Sequence, residues 1–432
     1  MTSKLQPYKK YHAVAYDYAT QLPEGWQLLP NIAIFEERIE RGHVDEELLS
    51  VTIGKGVIKQ SDLAKKDSST LNKSKYLLVY PDDLVYSMRF RQGASGYSHY
   101  KGIVSPACTV LKHRKGMKLN SRYFHYMFRT SFYKNYAERY AYGIADGQMP
   151  LRYFDFKRMY SIVPPLEVQN SIVDYLDKKN NEIDKFIRNK ERLIELLKLE
   201  KDTTTKKLVT RGLNENVSFK KTDIYWIKEI PKHWDVKPFN VAFTVNKLKN
   251  DFKEDYPILS LSYGNVVFKD HDSNMGLVPQ NYDSYQIIKP QTLIFRFTDL
   301  QNDHKSLRVG LAKNKGIITS AYLAVIKQSK IKLSMDYAYL LLHSYDIDKV
   351  FYLFGGGVRQ AIGFPDIKRL PILLPPLDEQ NQIVNEHLNQ TQKINQLIAK
   401  TEKELLSIKE YRVAVITDLV TGKRSIPQIQ SS

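Results

Sequence analysis

The sequence predicts a mixed α/β (α+β) protein in which two globular domains alternate with two long antiparallel coiled-coil helices, the halves related by a pseudo-two-fold axis. Three observations carry this expectation. The decapeptide PPLEVQNSIV at Pro164–Val173 returns 211 positions later as PPLDEQNQIV at Pro375–Val384. Apolar residues at coiled-coil spacing follow each copy. Ahead of each copy lies a segment of short β-branched runs bounded by turn residues, then a helical stretch. The boundaries read as a first globular domain over 1–163, a first helical spacer over 164–212, a second domain over 213–374 and a second spacer over 375–432.

The duplication reaches well beyond the decapeptide. Phe154–Gln169 aligns with Phe364–Gln380, keeping Lys157 over Lys368 and Arg158 over Arg369. Leu22–Trp26 (LPEGW) matches Ile230–Trp234 (IPKHW), and LLSVTIGKGVIK from Leu48 matches ILSLSYGNVVFK from Ile258. Lys206–Gly212 faces Thr417–Lys423. An offset near 210 over both halves means a tandem duplication and not a solenoid, whose period is about 20–50 residues. Within the globular parts, YLLVY (Tyr76–Tyr80), TLIFRF (Thr292–Phe297) and GIITSAYLAVIK (Gly316–Lys327) read as strands, and Ser121–Ala141 and Ser334–Leu353 as helical. The sequence leaves the strand order open.

The spacer helices enter through Pro-Pro, which suits a rigid approach and a first helical turn. Ile183, Ile187, Ile194 and Leu197 then form a 4-3-4-3 seam with Lys190 in the gap. Ile394, Ile398, Leu405 and Ile408 repeat it in phase, with Thr401 in the gap. Two unrelated amphipathic helices would share neither the phase nor the polar interruption, so the seams are expected to bury one another. At about 1.5 Å per residue, some 30 residues span about 45 Å. On B-DNA, with about 34 Å per turn, that separates two contact zones by roughly one turn.

Net charge is the strongest compositional signal: +18 at neutral pH, with a pI near 9.4, points to a polyanionic partner. No Asp or Glu occurs from Leu84 to Ala137, where Arg89, Arg91, Lys101, Lys112, Arg114, Lys115, Lys118, Arg122, Arg129 and Lys134 alternate with tyrosines. A second acid-free stretch, His304–Met335, sits at the matching place in the second copy. A charge run is ordinarily just a solvated face. Its recurrence makes nucleic acid the better reading.

Two loops have the residue types that read base edges. Ser87–Gly102 offers Arg89, Arg91, Gln92, Tyr97 and Lys101; Arg296–Gly310 offers Arg296, Thr298, Asn302, Lys305 and Arg308. A second candidate pair precedes the Pro-Pro entrances: Gln148 and Arg152 in the first copy, Arg359 and Gln360 in the second. For any one of these residues a phosphate contact is as good a reading as a base contact.

Catalytic and metal signatures are missing from the sequence. There is no G-x-x-x-x-G-K-[ST] loop, no G-x-G-x-x-G cradle and no histidine spacing that would ligate zinc. Asp177-Lys178-Lys179 has half of a nuclease D-x-K pattern, but on the spacer helix. No catalytic residue and no metal site is therefore assigned. The single cysteine, Cys108, excludes internal disulfides and fits a reducing cytoplasm as a small buried residue. The N-terminus has no apolar core or cleavage site of a signal peptide, and no run of about 18 uncharged apolar residues is present. The expected location is the cytoplasm, without membrane contact.

Two variable domains alternating with two matched helical regions resemble the specificity subunits of type I restriction–modification systems. The resemblance spans essentially the whole chain. It is carried by PPLEVQNSIVDYLDKKNNEID, PPLDEQNQIVNEHLNQTQKIN and KKTDIYWIKEIPKHWDV (Lys220–Val236), although Asp223 and Lys228 stand where the family usually has glycine and Tyr225 where it has Glu. In the first copy Val168 replaces the Glu that Glu379 retains. The resemblance implies two target recognition domains, each reading half of a split, asymmetric site in double-stranded DNA, and helices that set the gap. It also implies two docked modification (methyltransferase) subunits, which use S-adenosylmethionine, and two restriction (motor-nuclease) subunits, which use ATP and Mg²⁺. This chain itself would bind no cofactor. Two other readings stay open on the residues alone: a nucleic-acid-binding coiled-coil adaptor, or a diverged DNA nuclease or methyltransferase.

Overall fold

The computed structural model describes residues 5–16, 18–63, 72–140, 151–214, 216–250, 256–269, 282, 284–298, 300, 307–354 and 362–426. The chain divides into two compact units, Met1–Lys190 with Lys403–Ser432, and Glu191–Glu402. Each unit takes one globular domain and a part of both long helices, so the helices do not form bodies of their own.

The first unit is built on a four-stranded antiparallel sheet in the order Phe35–Glu37, Thr109–His113, Leu84–Tyr86, Ser95–Tyr97. The middle strand Leu84–Tyr86 is buried at every residue, which is why it reads as an unbroken apolar run and not as an alternation. Helices Ser121–Phe128 and Ser131–Glu138 pack beside the sheet. Tyr123, Phe124, Met127, Phe128 and Tyr133 are buried with Phe35, Tyr86 and Phe90 in one core. The Asn120 and Thr130 side chains start these helices by accepting from the N–H of Arg122 and Tyr133, at 2.9 and 3.1 Å.

The second unit repeats this plan strand for strand: Phe243–Val245, Leu323–Lys327, Leu293–Phe295, Val309–Leu311, all antiparallel. Helix Met335–Ile347 stands where Ser121–Phe128 stands in the first unit. The matched sequences from Leu48 and Ile258 form matching hairpins, Leu49–Thr52 with Gly56–Lys59 and Leu259–Ser262 with Asn265–Phe268. Duplication of sequence is thus duplication of topology.

The long helices are Leu166–Arg211 and Leu377–Val420, 46 and 44 residues. Their shared entrance has a physical reason in its glutamine. Gln169 is buried; its Nε2 donates to Pro164 O at 2.8 Å and its Oε1 accepts from Asn120 N at 2.9 Å. Gln380 does the same, with Pro375 O at 2.8 Å and Ser334 N at 2.8 Å, and adds Lys332 O at 3.1 Å. One side chain therefore ties the Pro-Pro entrance to the N-cap residue of the neighbouring domain helix. The helix exits match as well. Gly212 and Gly422 both have φ of +73°, the left-handed conformation that ends a helix, and they lie against Trp234 and Trp26.

The seam residues Ile183, Leu197, Ile394 and Leu405 are buried, and Ile187, Ile194, Ile398 and Ile408 half-buried, amid exposed neighbours. In the first unit, Asp184 pairs with Arg412 and Lys190 with Glu404 at 2.6 Å, so the helices run antiparallel. The polar gap positions are satisfied differently. Lys190 uses that cross-helix carboxylate, whereas Thr401 returns its hydroxyl to Leu397 O at 2.8 Å.

Candidate nucleic-acid interface

In the first unit, the candidate reader turn is held by an aromatic anchor. Phe90, without exposed surface, packs its ring near Tyr86, Phe128 and Tyr133 and heads a short 3₁₀ turn, Phe90–Gln92. Gly93, at φ +93°, closes the turn with its N–H on Phe90 O at 2.8 Å, and Ser87 N donates to Ala94 O at 3.1 Å. Arg89 and Gln92 flank the anchor and are exposed. The turn thus carries a bidentate donor and an amide on a fixed backbone, the chemistry suited to guanine and adenine edges.

Neighbouring candidates are engaged within the protein. Arg91 pairs with Glu138 at 2.6 Å, and Lys101 pairs with Glu46, which holds the Lys101 ammonium above its usual range. Tyr97 is half-buried against the Arg122 guanidinium, 5.8 Å from its ring centre, and burial raises its phenol. Arg152 is exposed at the start of the short helix Tyr153–Phe156.

The acid-free stretch of sequence is not acid-free in space. Lys112 meets Glu36 at 2.8 Å and Arg122 meets Asp177, in addition to the pairs of Arg91 and Lys101. The sheet and the first long helix bring carboxylates from distant positions onto these cations. Arg114, Lys115 and Lys118 remain exposed on the turn after strand Thr109–His113. In the second unit Lys313, Lys315, Lys327, Lys330 and Lys332 are exposed, with Lys315 lying 4.2 Å over the Tyr256 ring.

Arg296 and Thr298 are half-buried at the end of strand Leu293–Phe295. Arg308 departs from the sequence expectation. It is wholly buried, with Nη1 on Thr298 O at 3.0 Å and Nε 3.4 Å from Tyr352 Oη, so its side chain has no surface to offer a base. A charged residue in a polar loop gives no hint that a carboxylate, Asp346, lies beneath it. Gln148, Asn302, Lys305, Arg359 and Gln360 lie outside the described residues. Lys247 and Lys249 are not candidates by sequence. They line a groove with Asn246, Phe297 and Tyr322 in the second unit; their only signal is two lysines in a turn.

Among the described residues, no cluster of three His, Cys, Asp or Glu side chains is arranged for a metal ion, and no helix is long and apolar enough to cross a membrane. Burial raises the Cys108 thiol to about 12, the behaviour of an inert packed thiol.

A duplicated sheet domain joined to two long helices, with basic side chains exposed on its turns, suits a nucleic-acid-binding protein. Residues 234–407 match the family described as the type I restriction modification DNA specificity domain. The chain is 26% identical over 376 residues to the putative type I restriction enzyme MjaX specificity subunit of Methanocaldococcus jannaschii, covering 85% of this chain and 81% of that one. It is 24% identical over 364 residues to the MjaVIII specificity subunit of the same organism, covering 81% of each. Among solved structures it resembles a chain from a study of complex assembly and conformational transition of the type I R-M system, with a TM-score of 0.67 at 13% identity over 92% of this chain and 98% of that one. It also resembles the HsdS subunit of Thermoanaerobacter tengcongensis, with a TM-score of 0.52 at 14% identity over 93% and 98%. Residues 234–407 thus match a type I restriction modification DNA specificity domain, and over four fifths of its length the chain is similar to specificity subunits of type I restriction–modification systems.

Proposed function

We propose that this subunit reads a split, asymmetric target, each globular domain recognising one half, and that the paired long helices act as the ruler that sets the gap. The observation that carries the reading is the repeated four-strand order on which each copy bears a different candidate reader: Arg89 and Gln92 in one, Arg296 and Thr298 in the other. The same scaffold with unlike loops gives two half-sites of unlike sequence. Phosphate contacts from Arg114, Lys115 and Lys118 would supply affinity without sequence preference.

In this reading the helices also dock two modification subunits, which bind S-adenosylmethionine and methylate adenine, and two restriction subunits, which use ATP and Mg²⁺. The chain holds no cofactor of its own and acts in the cytoplasm.

Genome-wide adenine methylation, mapped by single-molecule sequencing in cells that carry the chain with or without its cognate modification subunit, tests the reading. A two-part motif with a fixed gap is expected only when both are expressed. Methylation by the chain alone, or no motif with an active partner, would overturn it. Inserting four residues near Leu193 tests the ruler: the gap should change while both half-sites persist, and an unchanged gap refutes it.

A further inference from the structure

Both candidate readers are closed at their base by a backbone hydrogen bond, Ser87 N to Ala94 O in the first unit and its counterpart in the second. In the first unit the closure is completed around the Phe90 anchor. In the second a buried side chain, Arg308, is added. Arg296 N donates to Arg308 O at 2.9 Å, and Arg308 Nη1 reaches back to Thr298 O at 3.0 Å. Beneath this closure sits Asp346 from helix Met335–Ile347. One of its oxygens accepts from the backbone N–H of both Arg308 and Val309, the latter at 3.2 Å. The following strand has no room to shift: a Cβ on Gly310 would fall 2.4 Å from Leu261 Cδ1.

Burying a guanidinium is costly unless its donors are met. What the Arg308 fork adds is direction: its donors on several sides reach Thr298 O and Tyr352 Oη, while the Asp346 carboxylate holds the backbone N–H groups of Arg308 and Val309.

We propose that Arg308 and Asp346 are positioning residues that hold Thr298 and the start of strand Val309–Leu311 in one geometry, so that Arg296 and Thr298 are presented to one half of the DNA target. The inference rests on the function proposed above. Arg308 touches no base; it acts through the residues that do.

The test maps methylation in cells expressing the full-length chain with its modification subunit. Wild type is compared with Arg308→Lys, Asp346→Asn and Asp346→Leu. Lysine keeps the charge but loses the fork, so Arg308→Lys should relax discrimination about tenfold or more in one half of the motif and leave the other half unchanged, the scale set by one bidentate contact. Asp346→Leu should behave alike. Asp346→Asn keeps an oxygen for the two N–H groups and should restore the wild-type motif. Unaltered discrimination in Arg308→Lys, or equal relaxation in both halves, overturns the inference. Should Arg308→Lys fail to accumulate, Tyr352→Phe removes one acceptor from the fork and is read by the same criteria. A wild-type chain that gives no two-part motif refutes the function itself, a result distinct from a failed clamp.

Discussion

Replacing Gln380 by Leu should unlatch the second domain from its helix. Gln380 has no exposed surface and makes three hydrogen bonds, at 2.8, 2.8 and 3.1 Å, to Pro375 O, Ser334 N and Lys332 O. Leucine fills nearly the same volume, so cavity formation is a small part of the effect. What remains is one buried N–H and two buried carbonyls without their partner. Each orphaned group costs about 1–3 kcal/mol, but they share one site and relax together, so about 3 kcal/mol is expected in total. For a unit of this size that is a fall of roughly 6–12 °C in its midpoint. Two units need not unfold as one, so a single melting curve is a poor readout. Amide hydrogen exchange resolves them: protection across helix Met335–Ile347 should drop by about 100-fold, and that across Ser121–Phe128 should stay as it is. A loss below about 1 kcal/mol, or equal loss in both units, would show that the glutamine is not the latch.

Three further outcomes follow from particular residues. Gly422→Ala places a Cβ 2.6 Å from Pro23 Cδ at a φ of +73°, so the stability of the first unit to thermal unfolding should fall by about 1–3 kcal/mol. Arg114→Ala with Lys115→Ala should weaken all DNA sequences alike and reduce the slope of log affinity against log salt by about 0.9 for each phosphate no longer neutralised, measured by fluorescence anisotropy. Burial lowers His125 to about 3 and His343 and His387 each to about 4, so the folded state resists their protonation. The stability they permit is complete above the unfolded value near 6.5 and declines as pH falls from there toward 4. His387→Gln should flatten that part of the second unit's urea-denaturation profile.

The duplication and the seam are legible because each is local in sequence and stated twice. Strand order is not. Leu84–Tyr86 and Leu293–Phe295 are three-residue strands buried throughout, so they lack the alternation that marks a face, and their neighbours arrive from distant positions. Charge misleads for the same reason. Counting along the chain from Leu84 to Ala137 finds only cations, but Glu36, Glu46, Glu138 and Asp177 return to them through folding. Arg308 is the sharpest case: type and loop placement both point outward, whereas the groups that meet its side chain inside are Thr298 O and Tyr352 Oη, the latter 44 positions away. Gln169 and Gln380 are findable in principle, since a polar residue kept at the same place in two otherwise diverged helix entrances calls for a buried partner.

The matched exits of the long helices also make the order of the two copies permutable. Tyr337 Oη donates to Val209 O at 3.4 Å, and Tyr123 Oη donates to Val420 O at 2.9 Å. Trp234 lies against Gly212, and Trp26 against Gly422. The segment that follows the first helix thus packs on that helix's end as the N-terminal segment packs on the end of the second, where Gln6 and Ser425 exchange backbone hydrogen bonds at 3.3 and 2.6 Å. Residues 6 and 425 thus meet within the first unit. If stability resides in these contacts and not in chain continuity between the copies, the break in the chain can be moved. A permutant joined through a short Gly/Ser linker between those ends and opened at Asn214–Asn216 should fold, keep its hydrogen-exchange protection in both units, and direct methylation to the unpermuted motif. Loss of protection confined to the second unit would mean that continuity through residues 212–218 does more than hold these ends together. An altered gap with both half-sites intact would place the fault in the helices instead.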